Sequence, residues 1–94
     1  MDVIEETLAQ REATHGTFSM TATTAQEIKA AFKTGGHFEN LPSDMQEALE
    51  MIATKQARIL NGSMYTLEHW LDIAGYAMLI AKTLEEKGKE GVPF

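Results

Sequence analysis

The sequence predicts an all-α protein of four helices, and three observations lead to that prediction. Apolar residues recur at helical spacing in four segments, glycines separate these segments, and no segment alternates apolar and polar residues as a half-buried strand does. Ninety-four residues leave room for one hydrophobic core, so residues 1–94 are predicted to form a single domain. Residues 2–87 are predicted to be its folded core, and residues 88–94 a flexible tail.

The first two predicted helices are short. The first covers about residues 2–12, and a polar connection of low regularity, residues 17–23, follows it. Thr24 with Glu27 three residues later is typical of a capping box, so the second helix is predicted to begin there. Gly35-Gly36 is predicted to end it, because glycine tolerates the left-handed conformation beyond a helix end.

The last two predicted helices form an antiparallel hairpin. The third helix is capped by Ser43 and the fourth by Thr66. The middle of the fourth helix is apolar nearly all round, because Tyr76 and Leu79 lie opposite its main apolar face, which includes Met78. A helix of this kind is buried on more than one side. In so small a domain the second side is expected to meet another subunit, so the sequence predicts a homo-oligomer built on the fourth helix.

Composition and charge exclude several classes of function. The chain has no cysteine, which excludes disulfides and thiolate metal sites. Its net charge is −6 with no basic cluster, so we expect no DNA or RNA duplex as partner. It contains neither a signal-peptide pattern nor an apolar run long enough to span a membrane, so a cytoplasmic protein without a membrane partner is expected.

Pairing of the last two helices would gather ionisable side chains. Lys55 and Arg58 lie one helical turn apart and could clamp a phosphate, while Arg11 could join them. Asp72 interrupts an apolar run, so its carboxylate is expected to be buried and paired with Arg58 or Lys55. His69 would lie nearby. The alternative interpretation is a purely structural network of salt bridges.

Two aromatic residues and two acids complete the candidates. Trp70 and Tyr76 could stack on a nucleotide base, although aromatic residues at helical spacing are more often part of a core. Glu47 and Glu50 place two carboxylates one turn apart and could hold Mg²⁺, which prefers oxygen ligands. The alternative interpretation is that these two glutamates only form part of a charged outer face of the helix.

Three motifs resemble a family of short phage and prophage proteins of unassigned function. They are Arg-x-x-x-His-Gly-x-Phe over residues 11–18, Glu-Ala-Leu-Glu-Met-Ile-Ala-x-Lys-x-x-Arg-Ile-Leu over 47–60, and His-Trp-x-Asp-Ile-Ala-Gly-Tyr-Ala over 69–77. Together they span about two thirds of the chain. The first motif adds His15 to Arg11 among the candidate ligand-binding residues.

The predicted hairpin is more distantly similar to the MazG-type all-α nucleoside triphosphate pyrophosphatases. That resemblance implies a MazG-like four-helix fold and a Mg²⁺ site built from two acid pairs on consecutive helices. Glu47 and Glu50 match the first pair and Asp72 matches the last acid, whereas His69 stands in the place of the third acid. Because histidine is a poor Mg²⁺ ligand, this departure favours binding over catalysis.

Taken together, the residues and resemblances predict a phage-type protein that binds a nucleotide or nucleotide-derived signal and sequesters it without turnover. Such a protein would act in the host cytoplasm as an anti-defence sponge and would need no cofactor. The candidate ligand-binding residues are Arg11, His15, Lys55, Arg58, His69, Trp70, Asp72 and Tyr76. One alternative is a Mg²⁺-dependent nucleoside triphosphate pyrophosphatase with Glu47, Glu50 and Asp72 as metal ligands. The other is a structural or protein-binding helical module.

Overall fold

The structure is a computed structural model that describes residues 2–89, and it is all-helical over that range, as predicted. Its four α-helices are α1 (Val3–His15), α2 (Phe18–Phe32), α3 (Ser43–Asn61) and α4 (Leu67–Lys89). Two short 3-10 turns, Lys33–Gly35 and Phe38–Asn40, connect α2 to α3. No strand occurs in residues 2–89.

α1 is longer than predicted. Asp2 caps its start by accepting the backbone N–H of Glu5 on its side-chain oxygen at 2.8 Å. The helix continues to His15, three residues past the expected end. Gly16 then ends it with φ +81°, a left-handed value that favours glycine, and its N–H bonds to the carbonyl of Glu12 at 2.9 Å.

The predicted start of the second helix was wrong. α2 begins at Phe18, where Thr17 accepts the backbone N–H of Met20 at 3.4 Å, so most of the predicted connection is helical. Two threonines on the first turns of this helix make hydrogen bonds to residues outside α2. Thr21 donates its hydroxyl to the carbonyl of His15 at 2.7 Å, and Thr24, the expected cap, accepts from the Asn61 amide at 2.9 Å.

α3 and α4 pack as the predicted antiparallel hairpin. The start of α3 lies beside the second half of α4, where Ala48 and Ile80 line one groove. The end of α3 lies beside the start of α4, where Ile59 and Ile73 line another. α4 continues to Lys89, two residues beyond its predicted end, and the remainder of the predicted tail, residues 90–94, lies outside the described residues.

Alanine forms the buried seam between the helices. The apolar residues buried in the described part of the chain are Ala25 on α2 and Ala48, Ala53 and Ala57 on α3. Alanine lets helix backbones approach closely but buries few atoms, and no large side chain is fully buried in the described residues. The hydrophobic stabilisation within one chain is therefore small for its length.

Large apolar side chains lie instead on the surface. On α4, apolar residues form a line at alternating spacings of four and three, in which every member is exposed: Leu67, Leu71, Ala74, Met78 and Ala81. We call these five residues the α4 stripe. This spacing is that of a coiled-coil seam. Tyr76, expected on the outer side, is half-buried and faces the groove against α3.

The chain exposes more surface than a compact monomer of its mass. Its accessible surface is 6894 Å², whereas about 5,400 Å² is typical for 10.4 kDa. Its radius of gyration is 16.2 Å, compared with about 12 Å for a compact domain of this length. Both values show that the single chain is less compact than a typical domain of this length.

Candidate functional site

The turn after α1 and the turn after α3 cross in direct backbone contact. A Cβ atom added at Gly62 would overlap the carbonyl oxygen of Thr14, and one added at Gly16 would overlap the carbonyl oxygen of Asn61. Ser63 donates its backbone N–H to the same Thr14 oxygen at 3.2 Å. We call this contact the turn crossing. It holds the C-terminal end of α1 against the tip of the α3–α4 hairpin.

His69 is part of the turn crossing. It is 3% exposed, and its Nε2 lies 3.0 Å from the carbonyl oxygen of Thr14. Because a carbonyl can only accept, this nitrogen donates its hydrogen, and the Thr14 oxygen accepts two bonds. The ring of His69 lies 5.1 Å from that of His15. His69 is therefore a buried hydrogen-bond donor whose ring lies against that of His15, and its expected contact with a ligand stays a prediction.

A cavity of about 210 Å³ lies beside the turn crossing, between the end of α1, the start of α2 and the end of α3. Three of the ligand-binding candidates from the sequence, Arg11, His15 and Arg58, line it. The other lining residues are Leu8, Glu12, Gly16, Phe18 and Thr21. Phe18 is 85% exposed, so its ring forms an open rim.

The two guanidinium groups at this cavity have no carboxylate in ion-pair contact among the described residues. Neither Arg11 nor Arg58 makes an ion pair with a carboxylate among residues 2–89, although Glu12 also lines the cavity. Two unpaired arginines at one cavity are notable in a chain of net charge −6. A guanidinium binds phosphate or carboxylate oxygens through paired hydrogen bonds, so this is an anion-binding arrangement.

The local charge also acts on His15. Partial burial lowers the pKa of the His15 imidazole below its ordinary 6.5, and repulsion from Arg58, His69, Lys55 and Arg11, in that order, lowers it further. Near neutral pH the imidazole is therefore held in its neutral form while the cavity contains no anion.

Lys55 and Asp72 form an ion pair across the hairpin, as predicted. The Lys55 Nζ lies 2.9 Å from a carboxylate oxygen of Asp72. The expected burial of Asp72 was wrong, because its side chain is 46% exposed while that of Lys55 is 12% exposed. The long lysine side chain reaches from between the helices to a carboxylate at their edge.

The aromatic candidates do not line the cationic cavity. Trp70 is 55% exposed and lines a different cleft with Ile28 and Leu60, and its Nε1 donates to the carbonyl of Met64 at 3.5 Å. Tyr76 lines shallow grooves along α4. The aromatic residue at the cavity is Phe18, which the sequence analysis did not select.

The acids of the magnesium alternative are spread along the hairpin. Glu47 lines a groove with Tyr76, whereas Asp72 is held by Lys55. Residues 2–89 contain no group of three or more histidines or carboxylates placed to hold a metal ion. The described residues therefore provide the pyrophosphatase alternative with no ready metal site.

A sequence signal for the cavity existed in the first motif. Arg11, His15, Gly16 and Phe18 all belong to the Arg-x-x-x-His-Gly-x-Phe pattern, and all four line the cavity. These four residues lie in one structural unit, the end of α1 with the start of α2. Only Arg58 comes from the hairpin that the sequence analysis emphasised.

Comparisons with models of protein families, with curated proteins and with solved structures found no match to this chain. Within the described part of the chain, none of the helices combines the length and the apolar character that crossing a bilayer requires.

Proposed function

We propose that this protein binds a nucleotide or nucleotide-derived signal and sequesters it without turnover, as a phage-type sponge acting in the host cytoplasm. The observation that carries the proposal is the cavity with two unpaired arginines, Arg11 and Arg58, at one end of an otherwise acidic molecule. The resemblance of its motifs to short phage proteins supplies the biological setting.

The size and walls of the cavity suit one part of a nucleotide. A volume of about 210 Å³ equals roughly seven water molecules, enough for a phosphate with its sugar. The exposed side chains of Leu8 and Phe18 border it, and a base leaving the cavity would meet them. Stacking of a base on an aromatic ring contributes about 1–3 kcal/mol in nucleic-acid-binding proteins.

Binding without turnover needs only the cationic cavity. The pyrophosphatase alternative needs several carboxylates around Mg²⁺, and the described residues group no three such ligands. This difference is why sequestration is the first proposal and hydrolysis the second.

Self-association is part of the proposal. The α4 stripe has coiled-coil spacing and no partner within the described chain. The excess surface of about 1,500 Å² exceeds the roughly 800 Å² that each partner contributes to a standard interface. A second copy of the chain packed on the α4 stripe accounts for both observations.

Isothermal titration of the protein with linear and cyclic nucleotides, with EDTA present, tests the proposal. A charge-assisted phosphate contact contributes about 1.5–3 kcal/mol, so Arg58→Ala should weaken binding by roughly ten- to a hundredfold. The matched control is Lys33→Ala, which removes an exposed cation outside the cavity and should leave the affinity unchanged.

A pyrophosphate-release assay with Mg²⁺ and with Mn²⁺, run beside the titration, separates the alternatives. Sequestration predicts binding in EDTA and negligible release. Robust metal-dependent release of pyrophosphate would favour the pyrophosphatase alternative. If no nucleotide binds and no pyrophosphate is released, the structural or protein-binding module is the alternative that remains.

A further inference from the structure

We propose that His15 takes up a proton when a phosphate group enters the cavity, and that the resulting imidazolium is a third cationic contact to the ligand. The inference rests on the proposed function, because it concerns the same cavity. It assigns His15 a role that selects anionic over neutral ligands.

The geometry provides the first support. His15 lines the cavity together with the guanidinium groups of Arg11 and Arg58. Its backbone is fixed on both sides, since its carbonyl accepts the Thr21 hydroxyl at 2.7 Å and the turn crossing holds the preceding residue, Thr14. The backbone of His15 is therefore held at a place where its imidazole lies beside the two arginines.

The charges facing His15 come from three helices. α1 contributes Arg11 and the opposing carboxylate of Glu12, and α3 contributes Arg58 and Lys55. From α4 comes the buried ring of His69, 5.1 Å away. The residues of α2 at the cavity, Phe18 and Thr21, carry no charge. Lys55 is already paired with Asp72, so the unpaired positive charge is mainly that of the two arginines.

A bound anion would offset this positive field. Burial and the surrounding cations lower the pKa of the His15 imidazole while no anion is present, so the ring is neutral near neutral pH. A phosphate between the two arginines offsets their charge and favours the imidazolium. In the window between the lowered free-state pKa and the higher bound-state pKa, binding then takes up one proton. Affinity rises as pH falls, by at most about tenfold per pH unit.

Sulfate is a suitable probe, because its double charge stays fixed over this pH range and any proton uptake belongs to the protein. Proton NMR follows the three imidazoles of the full chain from about pH 5 to about pH 9, with His15→Gln and His37→Gln used to assign their signals. Sulfate should raise the titration midpoint of His15. It should not change the midpoint of His37, which is exposed and does not line the cavity. Sodium chloride at equal ionic strength controls for general screening.

The possible outcomes separate this inference from the proposed function. If nucleotides bind through Arg58 but neither they nor sulfate move the His15 midpoint, proton uptake is wrong and sequestration stands. A pH-dependent affinity that persists in His15→Gln would also overturn it, because the proton would then belong to another group. If no nucleotide binds at any pH, both proposals fall together.

Discussion

The turn crossing and the outer side of α4 are built in opposite ways. At the turn crossing, glycines allow backbone to touch backbone, and the Thr14 carbonyl accepts hydrogen bonds from both Ser63 and His69. Along α4, the stripe from Leu67 to Ala81 is apolar and exposed, with no contact to the rest of the described chain that buries it. The first region is completed by contacts within the chain, whereas the second is left exposed, and the proposed self-association would cover it.

This contrast means that substitutions in the two regions should affect different properties of the protein. Changes at the turn crossing should reduce the stability of each chain. Changes on the α4 stripe should leave the single chain folded and alter its mass in solution.

The largest effect is expected at Gly62. Gly62→Ala places a Cβ atom against the Thr14 carbonyl, so the two turns must separate. We expect a loss of about 3 kcal/mol or more in the free energy of unfolding, measured by urea denaturation. Gly35→Ala is the matched control, because an added Cβ there meets no atom within 4 Å. Equal stability of the two variants would show that the turns are not in tight contact.

The second effect concerns assembly. Leu71→Glu introduces a charge into the middle of the α4 stripe, where Leu71 is 58% exposed in the single chain. A buried unpaired carboxylate is costly, so the variant should dissociate while remaining helical. Light scattering should then give the monomer mass of 10.4 kDa.

Gln26→Glu, which adds the same charge to an exposed position on α2, is the control and should keep the native mass. A native chain that is already monomeric at micromolar concentration would contradict the role assigned to the stripe.

A smaller effect is expected from pH. The lowered pKa of His15 means that the unfolded chain binds a proton below about pH 6.5 that the folded chain does not. Stability should therefore fall as pH is lowered from 6.5 towards the folded-state value, and His15→Gln should reduce this slope. Urea denaturation at several pH values measures it. An identical slope in the variant would assign the pH dependence to other groups.

The smallest effect is expected at Asp72. Its ion pair with Lys55 is close, but the carboxylate is 46% exposed and solvent screens it. Asp72→Ala should therefore lower the free energy of unfolding by only about 0.2–1 kcal/mol. A loss of several kcal/mol would show that the pair is buried after all, for example by a second subunit. Glu68→Ala, at an exposed position on α4, is a suitable comparison.

The sequence predicted the helices better than it predicted their faces. Helical spacing and the turn residues placed α3 and α4 to within two residues, because both signals are local, although Pro42 rather than the predicted Ser43 caps α3. The same spacing could not show which apolar face of α4 packs against α3 and which is exposed in the single chain. An apolar face suited to contact with another subunit has the same composition as a face buried in a core. Tyr76 was therefore assigned to the outer side, although it lies against α3.

The candidate site was only partly predictable for a similar reason. Arg11, His15 and Arg58 were selected for their charge and do line one cavity. His69 was also selected, but its role depends on the Thr14 carbonyl, 55 residues away along the chain, and no local pattern reveals such a partner. Phe18 was overlooked because the helix that it begins was expected to start at Thr24.

The turn crossing also has a consequence for the order of folding. The α3–α4 hairpin joins neighbouring segments, so it can form early, whereas the bond between Thr14 and His69 must close a loop of 55 residues. Closing a longer loop costs more chain entropy, and only the finished hairpin offers the Thr14 carbonyl both of its donors. We therefore expect the cavity between α1, α2 and α3 to take shape late in folding. A ligand held there would recognise only the fully folded chain, and would slow its unfolding without speeding its folding.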